Sequence, residues 1–353
     1  MFQKSQRNPQ HVSRIRHTIN PARKKMKEHL KNRNDPAYKT YMFLSIAVIV
    51  LVYICISATQ LSLLFPSNEE HAALRSRTNI WVKSDAQAFN PEISSRAKNL
   101  VIVAGHSVII SGHLHDADHD EEDWYLLDYQ KGQGLPQAIV SHIKKGIILA
   151  AKDPASLLVF SGGMTRSKTG PINEGESYFR VADALELWEH PLSDAPSLSN
   201  TVRSRTVIEE FATDSFQNFL FSICRFKEMT GSYPQHISIV SFSFKRHRFE
   251  QMHAKALRWP TELFDYIGID PPKNTGFDLE RSTAGELANS ARPFENDPYG
   301  CNSPVLQQKR MERNPFHRTP PYELTCPELK SLLHWCGPDL IPISELPWGE
   351  IKA

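Results

Sequence analysis

Residues 1 to 27 contain no acidic side chain, and the run from Met42 to Ala58 contains no charge of either sign. The second absence argues against a core helix, which rarely runs this long without a charge. With Thr59, Gln60 and Leu61 to Phe65 the run becomes a segment of about 24 residues, enough at about 1.5 Å each to cross a hydrocarbon layer of about 30 Å. A cleaved signal peptide competes, but a long polar stretch precedes the run and the run exceeds a usual signal core, so an uncleaved anchor over 42–65 is expected. The lack of acids in residues 1 to 27 keeps a mitochondrial inner-membrane address open as an alternative, although Pro9 and Pro21 interrupt any amphipathic helix there.

Charge around the span sets its direction. Arg23, Lys24, Lys25, Lys27, Lys31, Arg33 and Lys39 lie upstream, whereas the downstream flank mixes Glu69, Glu70, Arg75, Arg77 and Lys83. The positive-inside rule then predicts a cytosolic N-terminus and a lumenal C-terminal domain, in the endoplasmic reticulum or Golgi membrane. Net charge is only +2, and the chain beyond the span is net acidic, which argues against a nucleic-acid partner. The basic tail suits anionic headgroups instead. No N-x-[ST] sequon occurs, which excludes little in a chain with few candidate asparagines. The five cysteines leave the compartment open: Cys55 falls in the span, Cys224 in an apolar helical pattern, and Cys301, Cys326 and Cys336 can include one disulfide in a lumenal domain.

The remaining chain divides into a stem over 66–98, an α/β domain over 99–290 and a Pro-rich extension over 291–353 laid on that domain. Asn99 to Ile110, Ser156 to Gly163 and His236 to Phe244 are apolar runs of the kind made by strands buried on both faces, and Phe264 to Ile269 reads as a short fourth. Helical patterns separate them at Gln133 to Lys152, Glu176 to Glu189, Ser215 to Thr230 and His247 to Arg258, with Gly231 as a C-cap. This alternation predicts a Rossmann-like, doubly wound, mainly parallel sheet. Ligands in such sheets bind at the carboxyl ends of the strands, so informative residues should follow the strands.

Several clusters sit at those positions. Gly105 and His106 follow the first strand. Ser161, Gly162, Gly163, Thr165 and Arg166 follow the second, where glycines would let backbone N–H groups approach an anion and three side chains offer donors. The loop is neither a Walker loop, lacking G-K-[ST], nor a G-x-G-x-x-G turn. Glu174 and Glu176 precede a helix, where capping is the simpler account. Asp214 and Ser215 open another, with Asn218 one turn in. Ser241, Lys245, His247 and Arg248 end the third strand and suit a phosphate or carboxylate, with a solvated basic turn as the rival account. The loop GHLHDADHDEED, from Gly112 to Asp123, approximates a dinuclear metal motif. Its spacing is one residue too long, so an acidic solvated loop is expected and no metal.

Taken in order, Ser161-Gly162-Gly163, Glu174 or Glu176, the stretch Glu210 to Asn218, and Ser241 to Arg248 resemble the domain-of-unknown-function-218 (DUF218) family, and Trp124 to Gln130 with Cys326 to Leu333 resemble its eukaryotic membrane-anchored branch. Gln217 stands where the family motif has Glu, and Lys245 where it has His. The resemblance covers about residues 99 to 270. It implies a Rossmann-like fold, a membrane anchor and a pocket at the strand ends, with S-adenosylmethionine as a family-level cofactor suggestion, but no reaction. Two functions follow as expectations. One is a transferase or hydrolase acting on a small anionic or nucleotide-like ligand, with Glu176 or His247 as proton-transfer candidates. The other is a non-catalytic endomembrane binding or scaffold protein. Substrate, organelle and oligomeric state are not legible.

Overall fold

The computed structural model describes residues 96–189 and 199–349, together with scattered positions between 36 and 51. The chain divides into two compact units, Met1–Thr78 and Asn79–Ala353. In the first, the described residues are helical, and Thr40 Oγ1 donates to Pro36 O at 2.9 Å. Among the described residues no helix is long and apolar enough to cross a membrane. Most of the span expected over 42–65, and nearly all of the stem over 66–98, lie outside them.

Among the described residues the second unit is built on five parallel strands in the order β3-β2-β1-β4-β5. These are β1 (Asn99–Ala104), β2 (Ser156–Ser161), β3 (Thr206–Glu209), β4 (His236–Ser241) and β5 (Phe264–Gly268). Val101 is paired with Leu158 on one side and Ser238 on the other, which fixes the register at the centre. Because side chains alternate between faces, β1 divides its apolar residues. Val101 and Val103 pack with helices α1 (Leu135–Lys152) and α2 (Glu174–Ala184), whereas Leu100 and Ile102 pack with α4 (Ser215–Thr230). A short helix, α3 (Ser199–Ser204), leads into β3. Gly146 lets α1 approach β1 closely: a Cβ there would stand 2.4 Å from Val103 Cγ2. At the end of α4, Gly231 adopts φ 75° and returns its N–H to Lys227 O, as the sequence predicts.

Winding reverses in the middle of the sheet. The connection after β1 runs through α1 on one face, while the segment after β4, a π-helical turn Arg248–His253 continued by Ala254–Ala256, packs on the other. A crevice therefore opens between the carboxyl ends of β1 and β4, the position where such sheets receive ligands. β3 has no counterpart among the runs noted in the sequence. It is a four-residue edge strand, too short for a period-2 signal to rise above its surroundings.

Beyond β5 the chain forms α5 (Leu279–Glu286), α6 (Arg292–Asn296) and α7 (Pro304–Glu312), then shorter turns. The extension is part of the core. Leu306, Tyr322, Cys326, Leu329, Leu332, Ile341, Leu346 and Trp348 all join the face carrying α4. Trp348 Nε1 donates to Leu257 O at 2.8 Å. Cys301 and Cys336 form a disulfide, while Cys224 and Cys326 are free and buried.

Candidate functional site

A cavity of about 580 Å³ fills the crevice at the winding reversal. Its floor is made by the strand ends. Gly105 and His106 follow β1, Ser241 closes β4, and Phe242, Lys245 and Arg248 follow it. Thr165, Arg166 and Glu174 come from the β2–α2 loop and helix start, and Thr213, Asp214, Ser215 and Asn218 from the start of α4. Its outer wall comes from later chain: Phe277, Arg281 and Glu286 around α5, and Lys309 and Arg313 at α7.

Glycine in this floor, and in the turn behind it, serves a close approach by a carboxylate. A Cβ on Gly105 would stand 2.5 Å from Glu174 Oε2, and one on Gly162 2.6 Å from the same atom. Glu174 is buried and accepts from Thr165 Oγ1 at 2.5 Å. The backbone groups of the Ser161-Gly162-Gly163 loop are already spent. Gly162 N donates to Glu209 O at 2.9 Å and Gly163 N to Ala212 O at 2.8 Å. The expectation that these N–H groups meet an anion is therefore corrected: Gly162 makes room for Glu174, and Gly163 for the backbone of Phe211 and Ala212.

Ser161, fully buried, belongs to the layer beneath the cavity. Its Oγ donates to Glu209 Oε2 at 2.8 Å and accepts from Asn218 Nδ2 at 2.9 Å. Glu209 also accepts from Phe211 N (2.7 Å), Ala212 N (3.3 Å) and Tyr322 Oη (3.0 Å). Burial nevertheless pushes its carboxyl up to about 7, against the lowering effect of these donors.

At the β1–β4 crevice, Lys245 Nζ lies 3.3 Å from His106 Nδ1, and His106 Nε2 lies 3.3 Å from Ser241 Oγ. His106 packs on Phe242 with centroids 4.5 Å apart, and Arg166 Nη2 donates to its carbonyl at 3.2 Å. Burial, and next the charge of Lys245, hold the His106 imidazole well below the ordinary histidine range, so it is neutral. Lys245 lies 5.0 Å from the Phe242 centroid, and burial, then Arg248, bring its ammonium down to about 7. Burial, then Arg313, lower Lys309 to about 8. Among the described residues no salt bridge engages Lys245, Lys309 or Arg313, whereas Arg248 grips Glu286 through Nε–Oε1 (2.6 Å) and Nη2–Oε2 (3.0 Å). The lining thus holds Arg166, Lys245, Arg248, Arg281, Lys309 and Arg313 against Glu174, Asp214 and Glu286. Such a cavity favours an anion. Phe242, Phe244 and Phe277 add a row of ring faces, with Phe242 and Phe244 stacked at 5.1 Å.

Five of the residues singled out from sequence at the strand ends lie outside the cavity lining: Ser161, Gly162, Gly163, Glu176 and His247. Glu176 serves the start of α2, its N–H donating to Asn173 Oδ1 at 2.6 Å. His247, the other proton-transfer candidate, is exposed and also outside the lining, because the helical turn after β4 carries Lys245 and Arg248 inward and His247 outward. In the Gly112 to Asp123 loop, Leu114 and Ala117 are buried, whereas His113, His115 and His119 are exposed. Among the described residues no group of three or more His, Cys, Asp or Glu could hold a metal ion. Sequence reading missed Arg281, Glu286, Lys309, Arg313 and His253. The one available signal was Lys309 and Arg313 at i, i+4, which shares a helix face.

Fold and site together define an α/β protein with a cationic, partly aromatic cavity at the carboxyl edge of a parallel sheet. The chain belongs to the same family as the uncharacterized protein YOR238W of Saccharomyces cerevisiae, with which it is 31% identical over 261 residues, covering 63% of this chain and 86% of the yeast protein. No family model matches the chain, and no solved structure matches it significantly.

Proposed function

We propose that this protein is a membrane-anchored, Rossmann-like, DUF218-type protein whose cavity binds a small phosphorylated, nucleotide-like ligand, as a transferase or hydrolase. The observation that carries the reading is the set of cations without a carboxylate partner among the described residues, Lys245, Lys309 and Arg313, gathered at one strand edge beside the Phe242–Phe244–Phe277 row. Cations suit phosphate oxygens and ring faces suit a base, and both occur in one cavity of a size suited to a mononucleotide. The anchor over 42–65 and its flanking charge support an endoplasmic reticulum or Golgi address with the cavity in the lumen. The Cys301–Cys336 disulfide supports the same side, since disulfides persist in oxidising compartments.

The test is thermal shift of the full chain in detergent with nucleotides, sugar nucleotides, inorganic phosphate and S-adenosylmethionine. A stabilisation by phosphorylated ligands that Arg313→Ala or Lys309→Ala weakens is expected; no shift with any of them sinks the reading. Protease protection of a C-terminal tag in sealed microsomes tests the topology, and digestion without detergent would overturn it. A second reading, a binding protein without turnover, is favoured by Gln217. At the motif Glu position it accepts from Thr213 N at 2.9 Å and Thr213 Oγ1 at 2.6 Å, a loop-bracing role. Ligand binding without any product in long incubations is the outcome that selects it.

A further inference from the structure

Ser215 stands at the first turn of α4 and lines the cavity. Its Oγ lies 2.7 Å from His253 Nε2 and also accepts from Arg248 Nη1. Arg248 can only donate, so it occupies a lone pair of Oγ and leaves the hydroxyl hydrogen free to point at Nε2. His253 is fully buried and enclosed by Phe216, Phe249 and Phe294, with centroids 5.7, 5.4 and 4.6 Å away. Among the described residues its Nδ1 has no hydrogen-bond partner. A buried, half-satisfied imidazole costs about 1–3 kcal/mol, and its one polar contact is to a hydroxyl on the cavity surface. Burial, then Arg248, hold the imidazole well below the ordinary histidine range, so the ring is neutral and Nε2 keeps its lone pair for the Ser215 hydroxyl.

We propose that Ser215 is a nucleophile and His253 its base, so that the cavity transfers a phosphoryl group through a phosphoserine at Ser215; this rests on the anion-binding reading above. In the first half, Oγ attacks phosphorus and its proton passes to His253 Nε2, while the bond from phosphorus to the leaving oxygen breaks on the opposite side. The leaving oxygen takes a proton from Lys245 or departs as a stable anion. In the second half, water or an acceptor alcohol attacks phosphorus and yields its proton to Lys245 where the leaving oxygen took one, or to solvent where it departed as an anion, and Oγ leaves with the proton held by His253. Arg248, which contacts Oγ directly, holds the developing charge, as a guanidinium does at a transferring phosphoryl group.

The experiment incubates the full chain with 2,4-dinitrophenyl phosphate and, separately, with ATP, quenches in acid and maps phosphate by peptide mass spectrometry. Phosphate on Ser215 is expected, together with dinitrophenolate release. His253→Gln should slow both by about a hundredfold, as expected for loss of a general base. Ser215→Ala should abolish the phosphopeptide. If that variant does not fold, Ser215→Cys replaces it, and its thiol should alkylate with iodoacetamide at least tenfold faster than in the Ser215→Cys, His253→Gln double variant. Thermal shift with inorganic phosphate runs in parallel. No phosphate on Ser215 with the shift intact overturns the nucleophile and leaves the binding reading standing. No phosphate and no shift overturns both.

Discussion

Arg310 Nε meets Asp214 Oδ2 at 2.6 Å, and this contact joins the C-terminal extension to the residue that caps the helix carrying Ser215. Burial pushes the Asp214 carboxyl up, but Arg310 and the N–H of Gln217 more than reverse it and leave it below the ordinary range. Arg310 is also held by the carbonyls of Tyr299 and Gly300, at 2.8 and 2.9 Å. Arg310→Ala strands a buried carboxylate, so a loss of about 3–5 kcal/mol is expected in denaturant unfolding. The double variant with Asp214→Asn should recover part of it. Strict additivity of the two changes would show that the contact contributes nothing.

Lys245 predicts how ligand affinity depends on pH. Its ammonium is held near 7, so above that value the free protein carries it largely neutral. A bound phosphate favours the charged form, so binding takes up a proton and affinity falls as pH rises from about 6 to about 8. Calorimetry of a phosphorylated ligand in buffers of different ionisation enthalpy measures that uptake. Lys245→Met should remove it.

Glu209 predicts a stability profile of its own. Its folded-state value, about 7, lies above the 4.5 of a free glutamate. The sign follows: its contribution is fully present below about 4.5 and is lost as pH rises through about 7, on the order of 3 kcal/mol. Glu209→Gln fixes the uncharged form and should flatten the melting temperature over that window. A wild-type and variant that decline in parallel would refute the assignment.

The disulfide makes a third stability claim. Cys301 and Cys336 close a loop with a sequence separation of 35. Reduction should cost about 2–4 kcal/mol, and the Cys301→Ser, Cys336→Ser variant should melt at one temperature with or without reductant.

Much of this architecture was readable because apolar runs and helical periods are local. NLVIVA and SLLVFS declare themselves as buried strands, and Gly231 as a helix stop, without any knowledge of neighbours. β3 was lost because four residues at a sheet edge carry no period. The cavity floor was legible for a similar reason, since strand ends are sequence landmarks: Gly105, His106, Ser241, Lys245 and Arg248 follow from them. What sequence could not reveal is pairing across distance. His253 reaches Ser215 only through the π-helical turn after β4, and the wall residues Lys309 and Arg313 come from a stretch that reads merely as Pro-rich. Nor does S-G-G announce that its N–H groups are consumed by β3 and Ala212.

Tyr322 on Glu209, Arg318 on Glu210 and Arg313 on the Thr213 carbonyl, at 3.0, 2.9 and 3.1 Å, brace the loop between β3 and α4 from the far side of the sequence. The sheet is complete in sequence once Gly268 has been made, yet the wall of the cavity and the brace beneath Ser215 are translated only later. A stop codon anywhere between Asn302 and Lys309 would therefore spare all five strands in sequence yet remove Lys309 and Arg313 from the wall, together with the buried residues Tyr322 to Trp348 that pack on the face carrying α4.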